Sequence, residues 1–286
     1  MKTKKYFSVA LLTLFFLSSC TSNDKESINA TTAITENEVL IDAKIDAAID
    51  DVTDIAEDQY SVQQILTSKS SQTYKSILPL CATIKSSLVD GTWTRIIDFG
   101  TDGCTLANGN VLKGKIIISF SNNFSLLTQT ITYRFEGFLH NGKLLEGTKT
   151  IVRTLKITEL SSIIHPVSYL SIDLKVTFAD GRKYTKTGMR TREMIEGFQT
   201  KLNWEDNVFV IKGEGVTTNP NGEKITALIK TPLRFTMACS LPFPVKGSIL
   251  ITKNTNAALI DFGNTECDNK ATITVKGISK AIKLEK

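Results

Sequence analysis

Residues 36–57 carry apolar side chains at helical spacing. Ile41, Ile45, Ala48, Ile49, Val52 and Ile55 fall on one stripe of a 3.6-residue period. Thr35 and Glu38 stand three apart, the spacing of a capping box, so an amphipathic helix is expected within a segment spanning 36–66. From residue 111 onward the period changes to two. Ile131, Tyr133 and Phe135 alternate with Thr132, Arg134 and Glu136, and Ile172, Leu174, Val176 and Phe178 form a second alternating face. Ile225, Ala227 and Ile229 form a third. Asn141-Gly142, Asp180-Gly181 and Asn221-Gly222 punctuate these runs as turns, and Trp204-Glu205-Asp206-Asn207 reads as another. The pattern predicts a mainly β chain: an antiparallel meander, as a sandwich or a broad twisted sheet, over residues 67–286 with one N-terminal amphipathic helix.

Charge modifies this picture at two places. Asp42, Asp46 and Asp50 recur every four residues on the helix side opposite the apolar stripe. The expectation is a solvated acidic face, because metal sites draw converging ligands from loops; a metal or cationic partner is the alternative. Arg182, Lys183, Lys186, Arg190 and Arg192 cluster along one strand region. They read as a charged face or edge that resists sheet-to-sheet association, with a patch for anionic glycans or lipid headgroups as the functional alternative. Trp93, Trp204 and the tyrosines offer surfaces for sugar stacking, but the commoner use of such residues is in a β core.

The N-terminus supplies an address. Lys2, Lys4 and Lys5 precede an apolar run from Phe7 to Leu17, too short to span a bilayer, and Leu17-Ser18-Ser19-Cys20 resembles a bacterial lipobox. That resemblance implies a signal peptide over 1–19, lipidation of Cys20 (palmitate among its acyl chains), and a polar flexible tether over 20–35. Thr21 stands where an aspartate would resemble an inner-membrane retention signal, so an outer-membrane lipoprotein is expected, periplasmic or surface-exposed. Removing the three signal lysines lowers the formal net charge from +5 to +2, and no basic field for nucleic acid is left.

With Cys20 acylated, Cys81, Cys104, Cys239 and Cys267 form an even set in an oxidising compartment. Four cysteines allow three connectivities. An internal duplication discriminates among them. Asp98-Phe99-Gly100, Cys104 and Lys113-Gly114 recur as Asp261-Phe262-Gly263, Cys267 and Lys276-Gly277 at a constant offset of 163 residues. Each block has an upstream cysteine and an intervening hairpin turn, Asp90-Gly91 in one and Asn254-Thr255-Asn256 in the other. The duplicated blocks, near 81–118 and 239–280, therefore favour Cys81–Cys104 and Cys239–Cys267. Asp-Phe-Gly itself reads as a strand end: Phe turned to the core, Gly at a bend, Asp bonding nearby backbone. A kinase reading fails, since no glycine-rich loop or catalytic-loop motif accompanies it.

No motif assigns a reaction. His140 and His165 lie in no triad or metal pattern and read as loop or strand-end residues. No catalytic residue, metal ligand or cofactor is expected, although a carboxylate-pair glycosidase needs no local motif. The lipobox, the cysteine hairpin with Asp-Phe-Gly, the β-rich middle and the second hairpin ending in Lys-Gly together resemble uncharacterised lipoproteins of Bacteroidetes, most closely at Asn264-Thr265-Glu266-Cys267-Asp268-Asn269. The resemblance implies architecture and carries no activity. The expectation is a noncatalytic, membrane-anchored binding or structural module with a glycan, lipid or protein partner. A secreted Asp/Glu hydrolase acting on glycans, or a periplasmic lipid carrier, is the alternative.

Overall fold

The computed structural model describes residues 34–68, 75–200 and 203–285. The lipobox, Cys20 and residues 21–33 lie outside the described residues. Helix α1 spans Glu36–Thr67 and begins in the expected capping box: the Thr35 hydroxyl accepts from the Glu38 N–H, and the Glu38 carboxylate accepts from the Thr35 N–H at 2.9 Å. Fourteen antiparallel strands follow. The first hairpin is β1 (Thr83–Val89) and β2 (Thr92–Asp98), followed by the short β3 (Cys104–Thr105) and β4 (Val111–Ser121). The long strands are β5 (Thr128–His140), β6 (Lys143–Thr158), β7 (Ser161–Thr177) and β8 (Lys183–Glu196). The remainder are β9 (Val208–Thr218), β10 (Lys224–Thr236), β11 (Lys246–Lys253), β12 (Asn256–Asn264), β13 (Lys270–Val275) and β14 (Ile278–Lys283).

All of them belong to one open sheet in chain order, with β3 set aside as a second partner of β4. Of the two expected architectures, the broad sheet is the one adopted. Two-residue turns enforce this order. Asn141 and Gly142, both at positive φ (46° and 75°), join β5 to β6 so that His140 pairs with Lys143.

The sheet curls around the helix. Residues of β2, β5, β7, β8, β9, β11 and β14 all bond to α1 side chains. A flat sheet could not bring strands from both its ends to one helix. Bulges supply the curvature. At Gly114 the β4–β5 register shifts, φ is +73°, and an added Cβ would stand 2.2 Å from the Gly137 carbonyl oxygen, so only glycine fits.

Two apolar cores lie between helix and sheet. The larger packs Ile45, Ile49, Val52, Ile55 and Tyr60 of α1 against strands up to β8, and the smaller packs Ile34 and Val39 against β9–β14. Every member of the expected apolar stripe is buried.

Both disulfides join the expected pairs, Cys81–Cys104 and Cys239–Cys267, with Cα–Cα separations of 5.8 and 5.4 Å. Closing loops of 23 and 28 residues stabilises by about 3 kcal/mol each in the chain-entropy model. The Asp-Phe-Gly elements also match their expected role. Asp98 accepts from the Gly100 N–H at 2.9 Å and Asp261 from the Gly263 N–H at 2.8 Å, while Phe99 and Phe262 are buried.

The duplication ends there. Lys113-Gly114 lies within β4, whereas Lys276-Gly277, at φ 49° and 80°, is the two-residue turn between β13 and β14. The partner strand returns sooner in the second block: Asp261 pairs with Thr272, but Asp98 with Lys115. Equal offset in sequence is thus unequal position in the sheet.

Candidate ligand cleft

The aspartate repeat of α1 is not a solvated face. Asp42 is 3% exposed and the Asp46 side chain 13%, because the curled sheet covers the side of the helix expected to meet water. The basic cluster is corrected with it. Lys186, Arg190 and Arg192 are buried on β8, an interior strand flanked by β7 and β9, and only Arg182 and Lys183 remain exposed. The even-numbered positions 186, 190 and 192 share one face of β8 by its two-residue period. Lys186 to Arg192 spans about 20 Å of strand. Asp42 to Glu57 spans about 22 Å of helix. The two runs therefore match in length and are opposite in sign.

The resulting seam is specific. Lys186 Nζ donates to Asp42 at 2.7 Å and lies 3.2 Å from Asp46; Arg190 bridges Asp46 at 2.6 Å and Asp50 at 3.3 Å. Arg192 is shared by Asp54 and Glu57, and its guanidinium lies 3.3 Å from the centroid of the Phe209 ring. Hydroxyls complete the shell, with Thr217 donating to Asp42 and Ser168 to Glu57.

Burial opposes ionisation throughout this seam, and position decides the outcome. At Asp46, two neighbouring cations, Arg190 and Lys186, outweigh burial and hold its carboxyl below the ordinary range. At Asp50, burial together with repulsion from Asp46 prevails over Arg190 and pushes it up to about 6. Asp54 is pushed up to about 8 by burial and by Asp51, Asp50 and Glu57, against the pull of Arg192. Lys149 on β6 is buried at the same seam, and its Nζ makes no hydrogen bond among the described residues; burial and the nearby Arg190 push it down to about 7.

One histidine is placed as expected and the other is not. His140 does end β5, but it is buried and its Nε2 lies 2.8 Å from Asp51. Asn108 and Asn110 donate to the same carboxylate at 2.8 and 2.6 Å. His165 is neither a loop nor a strand-end residue. It is fully buried within β7, with Nε2 2.8 Å from Glu193 and Nδ1 2.7 Å from the Ile163 carbonyl oxygen. A proline follows it, but Pro166 sits inside the strand opposite Leu155 rather than ending it.

Above the middle of α1 the cover opens into a cleft of about 760 Å³. Its floor includes Asp50, Asp51 and Asp54; its walls come from segments 75–79, 106–108, 203–205 and 235–243. Leu78, Leu106, Trp204, Met237, Leu241 and Phe243 make those walls largely apolar. The disulfides brace them. Cys81 and Cys104 tie the segment after residue 79 to the strand before residue 106, and Cys239 ties the long 235–243 segment to Cys267. Trp204, one of the aromatic candidates, is thus a cleft residue, whereas Trp93 packs against the larger core.

Sequence reasoning missed Asp51, Asp54, Asn108 and the 235–243 segment as site components. One signal was available: an acidic period-four run and a basic period-two run of equal length within one chain. Among the described residues no three His, Cys, Asp or Glu side chains converge to hold a metal ion, and no helix is long and apolar enough to cross a membrane. Comparison with family models, curated proteins and solved structures finds no match to this chain.

Proposed function

We propose that the chain is a noncatalytic envelope lipoprotein, anchored through Cys20, whose ligand site is the cleft over α1. The observation that carries this reading is a cavity of about 760 Å³, within the size range of small-molecule sites, with apolar walls over a polar floor. The two disulfides support an oxidising compartment, and with it export. Engagement of the floor favours binding over catalysis. Asp50 is held by Arg190, Asp54 by Arg192, and Asp51 by His140 and two asparagines. Each floor carboxylate thus already has a partner within the protein.

The hydrolase reading keeps one observation in its favour, the upward displacement of Asp50 and Asp54 within a cleft. A carrier that cups acyl chains in its curved sheet is disfavoured, because α1 already fills that concavity. The test is a binding screen of oligosaccharides and peptides against the disulfide-intact chain and a cleft-filling Ser240→Trp variant. The expected result is a ligand that binds the parent and loses at least tenfold in affinity with the variant. Turnover of a glycan that disappears in Asp50→Asn or Asp54→Asn would overturn the noncatalytic reading.

A further inference from the structure

A second cavity, of about 190 Å³, lies toward the C-terminal end of α1. It shares Asn203 and Trp204 with the larger cleft but is otherwise separate from it. Ile65, Leu155, Ile164, Met194, Phe198 and Trp204 line it with apolar surface. Arg153 of β6 lines it too, and that arginine is unlike the others. Of the seven arginines in the chain, six donate hydrogen bonds to a side chain of the protein: Arg95 to Gln59 and Gln63, Arg134 to Glu136, Arg182 to Asp180, Arg190 and Arg192 to the acids of α1, and Arg234 to Glu196. Among the described residues Arg153 makes no hydrogen bond and no ion pair; its guanidinium lies 5.3 Å from the centroid of the Tyr60 ring.

A guanidinium carries five donors in a planar fork that suits a carboxylate or a phosphate. Its position over the Tyr60 ring satisfies none of those donors with a hydrogen bond. Half-buried in an apolar pocket, the group forms no ion pair among the described residues. The pocket is larger than the roughly 150 Å³ cavity that admits benzene, so it accepts an apolar body of at least that size. The surface beside it is apolar as well. Ile164 is 57% exposed, and Ile157, Leu160 and Ile163 at the closed end of the β6–β7 hairpin are 58%, 47% and 51% exposed. A tail longer than the pocket would lie along this surface rather than in water.

We propose that this pocket binds a small amphiphilic anion, with the apolar body against Leu155, Met194 and Trp204 and its carboxylate or phosphate on Arg153. Asn203, Asn207 and Gln64 line the same pocket and supply amide donors for the remaining oxygens of the head group. The site goes beyond the cleft reading and stands without it.

Calorimetric titration of the full mature chain with octanoate, octyl phosphate, octanol and octylamine tests the assignment. The expected result is that both anions bind at least tenfold more tightly than octanol, and octylamine more weakly still. Arg153→Gln should abolish the preference for the anions while leaving octanol affinity within about twofold, and Ile164→Trp should weaken every probe. Ser240→Trp in the larger cleft should leave octanoate binding unchanged, which separates failure of this site from failure of the cleft. Equal binding of octanol and octanoate by the parent would overturn the proposal. So would an anion preference that survives Arg153→Gln, or no binding of any probe by protein whose thermal transition is intact. Binding to anionic phospholipid vesicles without binding of free octanoate would also overturn it, reassigning Arg153 and the exposed isoleucines to a bilayer surface.

Discussion

Helix α1 presents two chemically opposite faces to one sheet. Along one, Ile45, Ile49, Val52 and Ile55 are fully buried among apolar strand residues. Along the other, Asp42, Asp46, Asp50, Asp54 and Glu57 are buried or nearly so against Lys186, Arg190 and Arg192. The apolar face needs only surfaces of suitable shape, since its stabilisation is non-directional and scales with buried area. The ionic face needs a partner at every step, since each unmatched charge keeps its desolvation cost. The apolar face therefore drives the sheet to close over the helix, and the ionic face fixes how the helix is rotated and shifted along β8 when it does.

Three substitutions can break or sharpen this contrast. Arg190→Met strands Asp46 and Asp50 without their shared cation and should cost about 4 kcal/mol, the range found when one partner of a buried ion pair is removed. Ile49→Ala on the opposite face should cost about 3 kcal/mol through lost transfer energy and a residual cavity. Urea unfolding of the disulfide-intact chain measures both, and the contrast fails if Arg190→Met costs clearly less than Ile49→Ala.

The smallest effect is a gain. Lys149 is a buried amine without a hydrogen-bond partner among the described residues, so Lys149→Met should stabilise by about 2 kcal/mol near neutral pH. The sign follows from linkage. Lys149 is pushed from 10.5 down to about 7, so between those values the unfolded chain binds more protons than the folded one. The parent accordingly loses stability as pH falls from 10.5 toward 7. The gain from Lys149→Met should be largest at or below pH 7 and shrink as pH rises toward 10. A gain independent of pH would place the benefit in packing rather than charge.

Legibility in the sequence followed the range of the interactions. The capping box at Thr35 and Glu38, the apolar stripe and the Asn141-Gly142 turn are decided within a few residues, and each appears where its local pattern placed it. The disulfide pairing was legible for a different reason: the chain carries the hairpin block twice, so one copy informs the other. That same signal misled at Lys113-Gly114 and Lys276-Gly277, where identity at constant offset conceals a strand in one copy and a turn in the other. The acidic and basic runs are both visible in the sequence, but not as partners. Each resembles a solvated surface when taken alone, and nothing within either run reveals the other as its partner.

The sequence alone determined that this chain would make one capped amphipathic helix, a meander of alternating strands, and two cysteine-closed hairpins, because spacing, turn chemistry and repetition act locally or within a repeated unit. Only the tertiary structure decided that the meander stays one sheet and curls around the helix. It also decided that five acids and three bases more than 120 residues apart would be brought together, and that Arg153 would be the arginine left without a hydrogen bond or ion pair among the described residues. Those outcomes depend on curvature summed over fourteen strands, and on which face of each strand then meets the helix. No single segment carries that information.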